Sequence, residues 1–147
     1  MNIAILTSSR ADYGIYLPLL KKLENDNSIN FELVVFGTHL SRLHGYTINN
    51  IISDGFSPDI KIETYIKEDD ESDISRSIGR TVTKFSFYWE KAKKRINLIL
   101  CLGDRYEMFA AITASVPFNI PIAHIHGGEI TDGAIDDCFR HSITHMS

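Results

Sequence analysis

The stretch IAILTSSRADYG, residues 3–14, joins a short apolar run to a polar turn that leads into helix-forming residues. An uninterrupted apolar run such as Ile3 to Leu6 is typical of a strand that is buried on both faces. A helical face of apolar residues continues from Ile15 to Leu23, and Pro18 predicts that this helix begins near it or bends there. The stretch therefore predicts a strand–turn–helix unit.

The same alternation continues along the chain. Further strands are predicted at 31–36, 60–66, 96–102 and 120–125. Helices are predicted near 45–52, at 74–93 with an aromatic stripe that indicates core packing, at 106–116 and at 135–146. The charged run 67–73 predicts a solvated loop, with Ser72 as the cap of the next helix. Strands that alternate with helices predict an α/β fold with a parallel sheet covered on both faces.

Composition and charge restrict the class of protein. The 147 residues fit one domain, and 44% hydrophobic with 23% charged residues is typical of soluble globular proteins. A net charge of -4 gives no basic excess for a nucleic-acid partner. The sequence has neither a signal-peptide pattern nor the roughly 20 apolar residues that span a bilayer. Cys101 and Cys138 follow no metal or disulfide spacing, so we expect a cytoplasmic protein without a membrane partner.

In parallel α/β sheets, ligands lie beyond the carboxyl ends of the strands, so the loops there hold the candidate site residues. After the first strand, hydroxyls, helix-start N–H groups and Arg10 suit a phosphate, and a helix cap with an Arg10–Asp12 pair is the alternative. After the second strand, His39 and His44 lack an adjoining acidic or cysteine partner. A ligand-lining role is therefore favoured over a metal site, with simple exposure as the alternative.

The loops after the fourth and fifth strands carry the acidic residues. Asp104 follows the fourth strand, where it suits catalysis and also an N-cap, two roles that are compatible. The stretch HIHGGEITDGAIDDCFRHSITH, residues 124–145, holds four of the six histidines. Its paired glycines let backbone approach a ligand, and Asp136 lies one helical turn before Arg140, as Asp137 does before His141. A capped helix explains part of this pattern. The residues beyond what capping needs are His126, Glu129, Asp132 and Asp136, whose spacing matches no zinc or calcium site.

Four segments, SSRADYG, FGTHLS, GDRYEMFAA and HIHGGEITDGAIDDCFRHSITHMS, resemble the UDP-N-acetylglucosamine 2-epimerase family. The resemblance is to its hydrolysing branch, which feeds sialic-acid-type sugar synthesis, and it extends from the first strand to the last residue. It implies a Rossmann-like three-layer parallel sheet with helices on both faces, as the N-terminal half of a GT-B fold. Residues 1–147 would then form the first domain. A second domain, absent from this chain, would supply most of the nucleotide-binding groups.

The resemblance also implies a reaction. In the family, UDP leaves by elimination across C1 and C2, and water adds to the resulting glycal with inverted configuration at C2, giving N-acetylmannosamine or a related 2-epimer. By motif position, Asp104 and Asp136 are the acid/base candidates, and Arg140 would hold Asp136 or a phosphate oxygen. Neither a metal nor another cofactor is implied. The residues implied to meet the UDP moiety are Arg10, Gly14 and Arg105.

One position departs from the family. Several relatives read HIEGGE, with an acid where this chain has His126. Either His126, which can transfer protons near neutral pH, or Glu129 takes that acid/base role. The family tends to dimerise through this domain, so a homodimer is expected, with helix 74–93 contributing. The chain alone is expected to be inactive, and a non-catalytic nucleotide-sugar-binding module is the alternative function.

Overall fold

Five strands and five helices alternate along the chain in the computed structural model, which describes residues 1–66, 70–130 and 135–147. The strands are β1 (Asn2–Thr7), β2 (Asn30–Phe36), β3 (Ile60–Ile62), β4 (Leu98–Leu102) and β5 (Ile122–Ile125). The helices are α1 (Arg10–Leu23), α2 (Ile48–Ser53), α3 (Glu71–Ala92), α4 (Tyr106–Thr113) and α5 (Ile135–Met146). Short 3-10 turns follow β2 and α4.

The strands form one parallel sheet in the order β3-β2-β1-β4-β5. From the central β1, the chain builds outward through β2 and β3 on one side and through β4 and β5 on the other. The strand order therefore reverses between β1 and β4. Loops that leave these two strands diverge, because their helices cover opposite faces, and a crevice opens between them.

Alternating residues of each strand face opposite layers. Ile3 and Ile5 of β1 pack in a cluster with α1 and α2, whereas Ala4 and Leu6 pack in a second cluster with α3, α4 and α5. All four are nearly or completely buried. The prediction of a three-layer parallel sheet with helices on both faces is confirmed.

The aromatic stripe of α3 packs in the core, as predicted. Phe85 and Trp89 are fully buried, and the Trp89 indole Nε1 donates a hydrogen bond of 3.0 Å to the Ala111 carbonyl. Of the aromatic residues of α3, Phe87 alone is exposed. The homodimer stays a prediction, and Phe87 is the aromatic side chain that α3 could offer to it. None of the helices in the described ranges is both long and apolar enough to cross a bilayer.

Two helix starts differ from the prediction. Helix α1 begins at Arg10, eight residues before Pro18, because Asp12 caps its first turn and the proline lies on the exposed side. Helix α3 is capped by Asp70, whose side chain accepts a 2.9 Å hydrogen bond from the Asp73 N–H, and not by Ser72. Residues 71–73 of the predicted charged loop are therefore helical, and residues 67–69 of that loop lie outside the described residues.

Candidate active site

A cavity of about 270 Å³ lies at the carboxyl edge of the sheet, in the crevice between β1 and β4. The loops after β1, β4 and β5 form its walls, together with α5. Its charged and titratable lining residues are Asp12, Asp104, Arg105, His126, Glu129 and Arg140. The loop after β2 does not line it.

Arg140 of α5 joins the loops of this cavity. Its guanidinium is 10% exposed; Nη2 donates to Oδ2 of Asp104, and Nη1 donates to Oε2 of Glu129 at 3.0 Å. Nη1 also donates to the His126 carbonyl at 3.4 Å. A guanidinium this far from water needs anionic partners, and its two terminal nitrogens each fix the position of one carboxylate. One side chain therefore fixes the loop after β4 and the loop after β5 relative to each other.

Asp104 does not cap α4. The helix begins at Tyr106 with Arg105 as its N-cap residue, and the Asp104 carboxylate accepts from Arg140. The N-cap role is therefore wrong. The Asp104 side chain is 25% exposed and lines the cavity together with Arg140.

The predicted Asp136–Arg140 pair is absent. Asp136 is exposed in the first turn of α5 and forms no hydrogen bond or ion pair with the described residues. Helical spacing only brings such a pair within reach, and here the guanidinium binds carboxylates of two loops instead. The parallel pair of His141 and Asp137 is present, with 3.5 Å between Nε2 and Oδ2. Asp132 lies outside the described residues.

His126 and Glu129 form a close pair at the end of β5. His126 Nδ1 and Glu129 Oε1 lie 2.6 Å apart, and both side chains are about half exposed in the cavity wall. The hydrogen bond from His126 is the main cause that lowers the pKa of Glu129, and Arg140 lowers it further. The backbone of His126 has φ +60, a left-handed conformation that is uncommon for residues other than glycine.

His124 and Thr144 are site residues that the sequence reasoning missed. His124 Nε2 lies 2.7 Å from the Gly103 carbonyl, and its Nδ1 lies 3.0 Å from the Thr144 hydroxyl, which also accepts from Gly128 N–H. Burial lowers the pKa of His124, so the neutral ring donates from Nε2 to this carbonyl. This contact holds the backbone just before Asp104. The alternation of His124 and His126 along β5 was the available signal.

The paired glycines have a local reason. A Cβ on Gly127 would lie 2.8 Å from His124 Nδ1 and 3.0 Å from Thr144 Oγ1, and Gly128 has φ +73. The close approach that we predicted toward a ligand is, at Gly127, an approach to these two side chains.

The loop after β1 is held together by Asp12. This carboxylate is 5% exposed and accepts from the backbone N–H groups of Ser8 and Ser9, both at 2.7 Å. The predicted Arg10–Asp12 pair is therefore wrong. Arg10 is exposed at the start of α1 and forms no hydrogen bond or ion pair with the described residues, so its guanidinium is open to a ligand. Gly14 is also exposed, and neither Arg10 nor Gly14 lines the cavity.

The two remaining candidates differ in their access to the cavity. Arg105 lines it and pairs with the buried Glu107 at 2.8 Å, while its own side chain is 41% exposed. His39 is fully buried, with its ring nitrogens 2.9 and 2.8 Å from the hydroxyls of Thr7 and Thr47, and burial lowers its pKa. This placement favours a role in positioning the loop over direct contact with substrate. No cluster with metal-binding geometry occurs within the described ranges.

The sequence of the chain matches a known protein family. The profile of one protein family, UDP-N-acetylglucosamine 2-epimerase, matches residues 21–147. The chain belongs to this family. Three of the four motifs quoted above lie within the matched residues, and the resemblance inferred from them is confirmed.

Curated relatives match nearly the whole chain. The UDP-N,N'-diacetylbacillosamine 2-epimerase (hydrolyzing) of Legionella pneumophila is 37% identical over 99% of this chain and 38% of its own length. Polysialic acid biosynthesis protein P7 of Escherichia coli is 36% identical over 99% of this chain and 37% of its own. The chain thus spans well under half the length of these relatives.

Solved 2-epimerase structures share the fold. The UDP-GlcNAc 2-epimerase of Neisseria meningitidis, bound to UDP-GlcNAc, matches with a TM-score of 0.82 at 18% identity, over 100% of this chain and 38% of that one. The Methanocaldococcus jannaschii enzyme, in complex with UDP-GlcNAc and UDP, matches with a TM-score of 0.83 at 15% identity, over 100% and 39%. These likenesses confirm the Rossmann-like fold that the resemblance implied.

Proposed function

We propose that residues 1–147 form the N-terminal domain of a hydrolysing UDP-sugar 2-epimerase of the GT-B type. The observation that carries the proposal is the buried Arg140, which holds Asp104 and Glu129 beside a cavity at the β1/β4 switch point. Family membership and two relatives named as hydrolysing 2-epimerases, 37% and 34% identical, support it.

The proposed reaction has two halves. In the first, a base removes the C2 proton, the C1–O bond breaks with its electron pair leaving on UDP, and a C1=C2 double bond forms. In the second, the oxygen of water bonds to C1 and gives up a proton, while C2 gains a proton on its opposite face. The products are UDP and the free 2-epimer. These steps need acid/base groups and cations for the leaving diphosphate.

The described residues include candidates for the acid/base groups and for the cations that bind the diphosphate. Asp104 is a carboxylate oriented by Arg140 and open to the cavity, which suits one acid/base role. Asp136, exposed in the first turn of α5, is proposed for the other and would act on a sugar that extends out of the cavity. Arg10 and Arg105 are proposed to meet the diphosphate, because guanidinium groups bind phosphate oxygens strongly.

The proposed substrate is a UDP-linked 2-acetamido sugar. UDP-N-acetylglucosamine, which would give N-acetylmannosamine, and UDP-N,N'-diacetylbacillosamine are the two to compare, since relatives are named for each. Both carry an acetamido group at C2, the carbon that loses its proton in the elimination.

A non-catalytic nucleotide-sugar-binding module is the second candidate. The position of Asp136 favours it, because this carboxylate lies outside the cavity that holds Asp104. Such a module would bind the UDP-sugar without breaking a bond.

Proton exchange in deuterium oxide tests the two functions. Two samples are compared with each UDP-sugar: the chain by itself, and the chain mixed with the C-terminal part of the Legionella relative that the chain does not match. NMR follows the C2 proton of the sugar and the release of free UDP. We expect UDP release with deuterium at C2 only in the mixture. Asp104→Asn should lower the rate by roughly 100-fold or more, the range for a lost acid/base group.

The control is Glu90→Gln, which removes one exposed carboxylate of α3 away from the cavity and should leave the rate unchanged. Binding without exchange would establish the module instead. Full turnover by Asp104→Asn would remove Asp104 from the mechanism.

A further inference from the structure

We propose that His126 is the residue that transfers a proton in this site, through Nε2, and that Glu129 is its positioning residue. This inference rests on the proposed function and resolves which of the two residues replaces the acid found in relatives that read HIEGGE.

The hydrogen bond between the two side chains assigns the nitrogen. An ionised carboxylate only accepts hydrogen bonds, so Nδ1 of His126, which lies 2.6 Å from Glu129 Oε1, carries the proton of that bond. In a neutral imidazole the lone pair then lies on Nε2. The ring is therefore oriented with its basic nitrogen away from Glu129.

Glu129 is itself held as an anion. Its second oxygen accepts from Arg140 Nη1 at 3.0 Å, and the hydrogen bond from His126 and the charge of Arg140 lower the pKa of Glu129. A carboxyl group with two strong donors gives up these contacts when it takes a proton. Glu129 is thus suited to orienting a neighbour and poorly suited to accepting a proton from the substrate or from water.

The backbone at His126 indicates a use for the side chain. With φ +60, this position is one that glycine would occupy at lower conformational cost, and Gly127 and Gly128 adjoin it. Strained backbone held in place by its surroundings is concentrated at functional sites. Here the Arg140 guanidinium supports it through the His126 carbonyl.

Charged and titratable groups face the His126 ring from several elements. Glu129 of the same turn binds Nδ1, and Asp104 from the loop after β4 lies across Arg140. Opposing them are Arg140 of α5 and His124 of β5. His126 is 44% exposed and lines the same cavity as Asp104, so Nε2 can meet a bound sugar.

The proton balance follows from the two halves of the reaction. The Nε2 lone pair accepts a proton, either from C2 as the C1–O bond breaks or from water as its oxygen bonds to C1. The imidazolium keeps its Nδ1–H on Glu129 and then returns the Nε2 proton to solvent. No other co-reactant is needed.

The first test needs no turnover. Nitrogen-15 NMR of the labelled chain reports which ring nitrogen of each histidine is protonated. For the neutral His126 ring we expect the Nδ1–H form, and Glu129→Ala should shift it toward Nε2–H. An Nε2–H tautomer in the unmodified chain overturns the proposal.

The second test uses the reconstituted mixture described above. His126→Gln should lower kcat by roughly 100-fold or more with KM changed only a few-fold, the signature of a lost proton-transfer group. His126→Glu, which restores the acid of the relatives, should recover activity to within about tenfold, and its acidic pH limb should lie at lower pH, because a carboxylic acid is a stronger acid than an imidazolium. Glu129→Gln should cost about tenfold in kcat. The control is His145→Gln, at an exposed position of α5 outside the cavity.

The outcomes separate this inference from the proposed function. If His126→Gln keeps its rate within twofold while Asp104→Asn is inactive, the inference fails and the function stands. If the unmodified mixture never releases UDP, the proposed function fails. The nitrogen-15 NMR test then still shows whether Nε2 of His126 is the unprotonated nitrogen. If the His126→Gln variant accumulates the glycal, His126 acts in the second half of the reaction, when water adds. If the variant shows neither deuterium exchange at C2 nor glycal, His126 acts in the first half, on the C2 proton.

Discussion

The guanidinium of Arg140 lies almost out of water between the carboxylates of Asp104 and Glu129. Its partners are themselves a quarter and about half exposed, so a ligand can reach them from the cavity side. Removing one member of such a cluster leaves the others with uncompensated charge, which is costlier than the loss of a surface pair. The two carboxylates of the site therefore depend on Arg140 for compensation of their charge.

Arg140→Met should lower the free energy of unfolding by about 2–3 kcal/mol, below the full cost of breaking a buried pair because the carboxylates are partly solvated. Arg140→Lys should recover only part of this, since an ammonium group cannot bridge two carboxylates as a planar guanidinium does. Urea unfolding of the chain measures both.

The matched control is Arg76→Met, which removes the 64% exposed partner of Asp73 and should cost no more than about 0.5 kcal/mol. Equal losses for the variants at positions 140 and 76 would contradict the central role of Arg140.

The sequence identifies these residue types but not their pairing. Asp104, His126, Glu129 and Arg140 all stand out as charged groups after predicted strands. Helical spacing points to Asp136 as the partner of Arg140, whereas the partners in the structure come from loops distant in sequence. Thr144 has no distinctive local pattern within its helix, whereas the available signal for His124 is its position two residues before His126.

At the scale of elements, the turn after β5 and the C-terminal part of α5 lie so close together that a Cβ at position 127 would clash with both. Gly127 lies against His124 and Thr144, while Gly14 on α1 faces open space. Both are glycines of predicted ligand loops, yet their surroundings differ completely. Gly127 allows β5 and α5 to pack closely at the site, and Gly14 lowers the stability of helix α1.

Gly127→Ala should therefore destabilise the chain by about 1–3 kcal/mol, the usual cost of overpacking. Gly14→Ala should stabilise it by up to about 1 kcal/mol, because alanine is the better residue at an exposed helical position. Thermal or urea unfolding of the two variants measures the difference. A neutral Gly127→Ala would mean that β5 and α5 are not packed as described.

The existence of each element follows from apolar patterns, but the boundaries depend on contacts. The five strands and the long α3 lie where the apolar runs predict them. Helix α1 begins before Pro18 because the buried Asp12 caps it, which is a feature of the folded loop. Strand β3 ends at Ile62, four residues early, since an edge strand has one neighbour to pair with.

At the scale of the whole molecule, the order of the strands decides which loops meet. Alternating strands and helices predict a parallel sheet, and so predict that all the candidate loops share one edge. They do not predict that β1 and β4 are neighbours, which is what places Ser9, Asp104 and Arg105 around one cavity. That arrangement comes from long-range pairing, as in the register of Ile3 with Leu98.

The central claim is that this β1/β4 crevice binds the UDP-sugar, and amide NMR of the chain with added UDP-N-acetylglucosamine tests it most directly. We expect shifts for the amides of Ala11, of 103–105 and of Glu129, saturating in the millimolar range or tighter. Asn30 and Ile96, at the opposite edge of the sheet, should not move. Shifts centred on that opposite edge, or none at saturating nucleotide sugar, would contradict the account.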